Sequence, residues 1–412
     1  MANFSVPLSG LTAESTALSA IANNLSNQNT TGYKDTGVLF SDLFYQNLGT
    51  TGSGDPIQLG AGTQVSSMPA LFTQGSISST GVPTDAAIQG SGFFVVQNST
   101  GAIDYTRAGD FSLDANNNLV TSDGQQVLGY PAVNGVVNTG AGIAPLQLGL
   151  GTLSPPTPTA NVQMTTNLNA AANVGDTFST PVTVYDSLGA SHTLTFTYTN
   201  TGPLAWTYNI TIPAADVGAT GNPVVLKTGA LTFNSSGNLL TPAANVTGIT
   251  ATGLADGAAN LTFTWDLYNG ATPLLTQVGA PSSTSATSQD GSGSGSLVSF
   301  SIGSDGTIAG SFSNGQTAAL GQLALANFAN PDGLQLDGNT NYSPILASGA
   351  AVNGVPGTGG LGTISGGALE LSNVDIATEF ANLIVAQRGF EADAKAVTTF
   401  DQITQDTIAL KQ

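Results

Sequence analysis

The chain has 412 residues, enough for two to four domains, and 40% of them are hydrophobic, enough to bury a core. Only 8% are charged, against roughly 25% in ordinary soluble domains, and 6 basic against 25 acidic residues leave a net charge of −19. That balance argues against nucleic acid and against anionic membrane surfaces, both of which need clustered Lys and Arg, and the absence of cysteine excludes disulfide frameworks and thiolate metal sites. "MANFSVPLSGL" is too short and too polar for a signal peptide. No apolar run reaches the roughly 18 residues that a spanning helix needs, so no membrane insertion is expected.

From Ser5 to Asn27 the larger apolar residues fall at Leu8, Leu11, Leu18, Ile21 and Leu25, with Ala13, Ala17, Ala20 and Ala22 between them. Leu11, Leu18 and Leu25 are seven apart, which predicts a helix with an apolar stripe. Pro7 is tolerated in its first turn. The amide-rich "NNLSNQNTTGYK" (23–34) then predicts a helix end, with Asn27, Asn29 and Gly32 suited to terminating it. Tyr33 and Lys34 open a connector over 33–72, so this stretch reads as a hinge. Two Asn-x-Ser/Thr sequons, at Asn24 and Asn29, lie within it.

Strand signals dominate from there to residue 370. "GFFVVQ", "TPVTVYDS", "SHTLTFTYT", "AWTYNITI" and "LTFTWDLY" alternate β-branched or aromatic residues with small polar ones. Phe111–Leu119, Phe233–Leu239 and Phe300–Ile308 each turn on Asn, Asp or Gly, as hairpins do. "GLGTLSPPTPTA" (149–160) and "APSSTSATSQDGSGSGS" (280–296) resemble linkers, and "AVNGVPGTGGLGTISGG" (351–367) resembles a third. The first two mark off residues 151–295 as a β domain inserted into another made of 73–150 with 296–370. The expected fold is mainly β with terminal helices, the outer domain a β-barrel or sandwich.

The last segment, "SNVDIATEFANLIVAQRGFEADAKAVTTFDQITQDTIALKQ", is the longest periodic one. Ile376, Leu383, Phe390 and Val397 recur every seven residues, Phe380 and Ala394 flank them, and Phe400, Ile403, Ile408 and Leu410 prolong the stripe. It predicts a helix of roughly 35 residues, about 50 Å long. Ser372 and Asp375 suggest a capping box and Glu391–Lys395 an i,i+4 ion pair. A heptad seam needs a partner, and the N-terminal helix is the other candidate. Residues 1–32 with 371–412 are therefore expected to form a helical core with coiled-coil packing.

Little supports catalysis. His192 is the only histidine and sits in a strand pattern, where a half-buried or surface residue is the ordinary case. No carboxylate pair can be named, and without Cys or a second His the usual transition-metal sites are not expected. Gly357-Thr-Gly359-Gly-Leu-Gly362 fits G-x-G-x-x-G but follows Pro356 rather than a strand. Asp114–Asn118 begins like a calcium loop, but Leu119 stands where glycine is required, so a tight turn is expected. No cofactor is expected.

Taken together, "LSGLTAESTALSAIANNLSNQNTTGYK" and "SNVDIATEFANLIVAQRGFEADAKAVTTFDQI" resemble the paired terminal signatures of the bacterial flagellar rod/hook family. "FTQGSISSTGVPTDAAIQGSGFFVV", "YTRAGDFSLDANNNLVTSDGQQVLGY" and "SNGQTAALGQLALANFANPDGL" are similar to its first β domain, and "VYDSLGASHTLTFTYT" to the outer domain of its hook members. Leu25, Gln28 and Tyr33 stand where the family more often has Ile, Ala and Phe, and Asp393 where Asn is common. The large insertion resembles hook rather than rod members; a distal rod protein remains the alternative within the family, and a secreted β-rich adhesin or glycan-binding module the alternative outside it.

The resemblance implies a non-enzymatic structural subunit that polymerises with itself into a curved hollow tube, a flexible torque-transmitting joint between rod and filament. It implies export without a cleaved signal peptide through the flagellar type III apparatus, to the extracellular hook of the basal body. It implies contacts with the distal rod protein, the hook cap and the hook–filament junction protein. The self-assembly surface would be Leu8, Leu11, Leu18, Ile21 and Leu25 on the first helix, with Ile376, Phe380, Leu383, Phe390, Val397, Phe400 and Ile403 on the second.

Overall fold

The computed structural model describes residues 5–149 and 153–410. The chain divides into two compact units: one holds the residues up to Gly149, Phe300–Gly310 and those from Ala318 onward, the other Leu150–Ser299 and Ser311–Thr317.

The first unit carries both helices, α1 (Ser5–Ser26) and α2 (Ile376–Ala409). Its β part is organised around Phe93–Gln97, which pairs with Ile103–Thr106, Gln126–Val133 and Leu325–Asn327. The run "FFVV" is buried on both faces because alternate side chains enter different cores. Phe94 and Val96 pack with Val127, Leu146, Ile308 and Leu323, whereas Phe93 and Val95 pack with Tyr105, Phe328 and Tyr342. The 33–72 connector is itself β structure: Leu39–Asp42 pairs with Thr63–Ser67, and Tyr45–Thr50 with Pro56–Gly60.

The second unit is a sandwich of two sheets, so the barrel alternative falls away. One sheet runs through Thr177–Tyr185, Ser191–Gly202, Ala205–Ile212 and Val224–Phe233, ending on Leu239–Thr241. The other is built on Asn161–Asn169, paired with Leu261–Asp266, Leu275–Val278 and Ser283–Gln289. Strict alternation in the first sheet sends Leu194, Phe196, Tyr198, Trp206, Tyr208 and Ile210 inward against Met164, Phe263 and Trp265. Trp265 is the hub: its ring lies 5.2 Å from Phe196 and 5.1 Å from Tyr208, both edge-on.

Two of the expected linkers are ordered strands. Ser283–Gln289 runs antiparallel along Asn161–Asn169, and Thr166 and Thr180 bond through Thr284. Hydroxyl-rich residues make a serviceable edge strand because backbone pairing needs no apolar side chain. In 351–367, Thr363–Gly366 pairs with Ala86–Gln89 and Val352–Gly354 with Leu325–Asn327. The Gly357–Gly362 segment is a closed loop, Gly357 N–H bonding to Gly362 O at 2.8 Å. The turn expected at 114–118 is present: Asp114 accepts from the amides of Asn116 and Asn118.

Candidate assembly core

The two helices pack through small residues. Ala13, Ala17, Ala20 and Ile21 are the buried positions of α1 after Pro7, apart from Asn24, and Ala386 is the buried apolar position of α2. Leu18 and Leu383 pack at the edge of this cluster. Close approach is visible farther along. A Cβ on Gly10 would lie 2.2 Å from Asp393 Oδ2, and one on Gly389 would lie 2.8 Å from Glu14 Oε1. Each carboxylate thus lies over a glycine of the opposite helix. Burial and the neighbouring Asp393 push the Glu14 carboxyl above its ordinary pKa.

Leu18 and Leu383 apart, the heptad residues consequently lie outside the buried cluster between α1 and α2. Ile376 is 47% exposed, Phe380 48%, Phe390 36%, Ile403 50% and Leu8 58%. Leu11, Leu25, Val397 and Phe400 are half-buried. Ile384 and Val385, neither of them selected from the sequence, are also exposed, as is Ile408 at the end of the stripe. An alanine stripe brings the helix backbones near each other but covers little apolar surface. A groove of about 460 Å³ opens beside the pair, lined in part by Ala17, Ile21, Phe40, Leu71, Val385 and Ala386.

α2 starts on Asp375 alone, whose carboxylate accepts from the amides of Ala377 and Thr378 at 2.8 and 3.0 Å. Ser372 instead accepts from Val374 N–H, so the capping box is replaced by a single aspartate cap. Glu391 is taken by Arg388 at 3.3 Å rather than by Lys395. Both groups are well exposed, and such a pair adds little.

The amide-rich stretch is tied down inside the chain. Asn24 is 1% exposed. Its Oδ1 accepts from Tyr33 Oη–H and Thr36 N–H, and its Nδ2 donates to Asp35, Thr36 O and Glu379 Oε2. No glycan could be carried by that amide without unmaking the junction, whereas Asn29 is exposed. Asn23 donates to Tyr33 Oη, and Asn27 Nδ2 to Asn23 O. Gly32 has φ +67°, and a Cβ there would sit 2.5 Å from Ala108 N, so glycine is required.

Beneath it lies a buried ion cluster. Glu370, fully buried, meets Lys34 Nζ at 2.6 Å and Arg107 Nη1 at 3.2 Å, and accepts from Gly75 N–H at 2.9 Å. Lys34 Nζ also donates to Thr73 O, and the Arg107 guanidinium lies over Phe93, 5.4 Å from the ring centre. Burial lowers both cations' pKa values, with Glu370 opposing. Asn373 completes the junction, accepting from Asp35 N–H and donating to Leu71 O and Thr73 O. Four segments distant in sequence are joined at the base of the helices. Sequence reasoning missed this cluster, although Lys34 and Arg107 are two of only six basic residues.

Among the described residues no helix is long and apolar enough to cross a membrane. Residues 5–34 match the family described as flagella basal body rod protein, 87–172 the flagellar hook protein FlgE/F/G D1 domain, 156–292 the flagellar basal body protein FlaE D2 domain, and 365–410 the flagellar basal body rod FlgEFG protein C-terminal. The flagellar hook protein FlgE of Escherichia coli is 36% identical over 99% of this chain and 100% of its own length. That of Treponema pallidum is 33% identical over 98% of each. The crystal structure of Helicobacter pylori flagellar hook protein FlgE2 shares the fold, with a TM-score of 0.51 and 16% identity, covering 71% of this chain and 100% of that one. With the terminal helices, the inner β domain and the inserted sandwich all matched in order, the chain belongs to the flagellar hook protein family.

Proposed function

We propose that this structural hook subunit polymerises through its terminal helices into a hollow, curved tube that transmits torque while bending. The observation that carries the reading is the apolar surface left on α2 after α1 has packed. Ile376, Phe380, Ile384, Val385 and Ile408 are all between 47% and 71% exposed. Such a face is costly in water and is covered by other helices in a stable assembly. Head-to-tail contacts that do not close into a ring produce a helical polymer. The groove at Val385 and Phe40 offers a seat for a neighbouring copy.

The finer partners belong to the same proposal: the distal rod protein at one end, the junction protein and cap at the other, and the export apparatus that would deliver the chain to the cell exterior. The assembly does no chemistry in this reading.

The test is the double variant Phe380→Asp, Ile384→Asp. Both side chains are about half exposed, so the monomer keeps its fold by circular dichroism while tubes disappear from electron micrographs. Tubes formed as readily as by the unmodified protein would overturn the proposal.

A further inference from the structure

His192 is more deeply buried than the half-buried or surface strand residue its sequence context suggests. It is 6% exposed, and each ring nitrogen faces a carboxylate: Nε2 lies 3.0 Å from Asp186 Oδ2 and Nδ1 lies 3.0 Å from Asp216 Oδ2. Both acids are held in place. Asp186 Oδ1 accepts from the amides of Leu188 and Ala190 at 2.8 and 2.9 Å, within the turn joining Thr177–Tyr185 to Ser191–Gly202. Asp216 belongs to the short 3₁₀ turn Ala214–Val217, and its carbonyl accepts from Ala255 N–H at 2.9 Å. The exposed Asp256 follows directly, and its carboxylate, Asp186 and His192 offer polar atoms all within 4.8 Å of one another.

A neutral imidazole has one N–H. It can satisfy one of the two aspartates, and its remaining lone pair then faces a carboxylate lone pair. Only the imidazolium donates on both sides. The charge count points the same way, because three aspartates surround the ring and no Lys or Arg among the described residues is ion-paired with Asp186 or Asp216.

We propose that His192 is a proton-operated clasp: protonated, it ties the turn at Asp186 and the 3₁₀ turn at Asp216 onto one strand of the outer sandwich, and deprotonated it releases one of them. Burial acts to lower the histidine pKa, but the bonds to Asp186 and Asp216 and the charges of both raise it above 6.5. Against its own burial, Asp186 is held below the ordinary carboxylate range by the bonds from His192 and from the two turn amides. Because the imidazole pKa is higher folded than unfolded, the clasp stabilises fully below the unfolded value. It fades as the pH rises through the folded one. The sandwich is therefore tightest in mildly acid medium and loosens toward alkaline pH.

The chain has one histidine, so proton NMR of the full-length protein reads this ring without assignment. Both tryptophans, Trp206 and Trp265, are in the same unit, so indole fluorescence reads its unfolding alone. The expected results are a ring titration midpoint above 6.5 and a melting temperature that falls between about pH 6 and pH 9. In His192→Gln that fall is absent. A midpoint at or below 6.5, or parallel melting profiles for variant and parent, would sink the proposal. So would a ring that ceases to titrate on adding zinc chloride and recovers with chelator, because a metal and not a proton would then be the clasp. The NMR arm uses the unmodified protein, so it decides even where the glutamine variant folds poorly.

Discussion

The outer sandwich and the helical pair solve the same problem in opposite ways. In the sandwich, Trp206, Trp265, Phe196, Phe263 and Tyr198 are all no more than 1% exposed. Two sheets close on each other, and no described Phe, Tyr or Trp of that unit is exposed, although smaller residues such as Val174, Leu188, Val225 and Leu240 are. In the helical pair the buried apolar residues after Pro7 are alanines and one isoleucine, while Phe380, Ile384 and Val385 stay in solvent. A core of large side chains is self-sufficient. A seam of small ones brings two backbones together and leaves the larger residues free for other molecules. Under the proposed assembly, the contrast separates the part of the subunit that is finished alone from the part that waits for company.

Substitutions can break that contrast or sharpen it. Phe196→Ala removes a fully buried ring beside Trp265 and should cost the sandwich about 4 kcal/mol. Indole fluorescence would register the loss at a lower denaturant midpoint, while tube formation by the folded protein persists. If tubes vanish under conditions where the sandwich is still folded, the two regions are not separate. Glu370→Gln leaves Lys34 and Arg107 facing each other without their shared carboxylate and should cost about 3 kcal/mol. Here hydrogen exchange of the amides near Gly32 and Gly75 should accelerate, with the indole signal unchanged.

The smallest effect concerns Glu14. Its carboxyl binds protons more tightly in the folded helix pair than in the unfolded chain, so its contribution to stability is present in acid and lost as the pH rises through the folded value. Glu14→Gln should make the thermal loss of helical circular dichroism near neutral pH come at a higher temperature than in the parent. At a pH below the carboxylate range the two should coincide. A variant that melts earlier at neutral pH would show that Glu14 supports the pair instead of straining it.

Much of the fold was legible in the sequence, because aromatic alternation and a long heptad pattern are local signals. "SHTLTFTYT" alternates visibly, and its inward members are the ones buried. Other features depend on distant residues and left no local trace. The Ser/Thr strand at 283–289 resembles a linker because its pairing supplies what its side chains do not. The role of His192 rests partly on Asp216, which is 24 residues away and on another element. The heptad was read as one seam with α1, whereas of its four α2 members Leu383 joins that cluster and Ile376 and Phe390 are exposed, since a close crossing selects Ala and Gly at its centre and pushes Leu and Phe to the flanks. Leu383→Asp, the substitution a heptad suggests, would strike the contact within the chain; Phe380 and Ile384 are the residues that test contacts between chains.

The buried carboxylate of Glu370 also imposes an order of events. Its ammonium partner, Lys34, precedes it by 336 residues. Bringing together ends so far apart costs about 5 kcal/mol in an otherwise unstructured chain, less once the intervening strands have formed. A chain emerging from its N-terminus therefore exposes Lys34 with nothing to neutralise it until nearly the whole polypeptide has followed. The base of the helices cannot set until Glu370 has emerged, and a chain cut short anywhere before residue 370 cannot complete it.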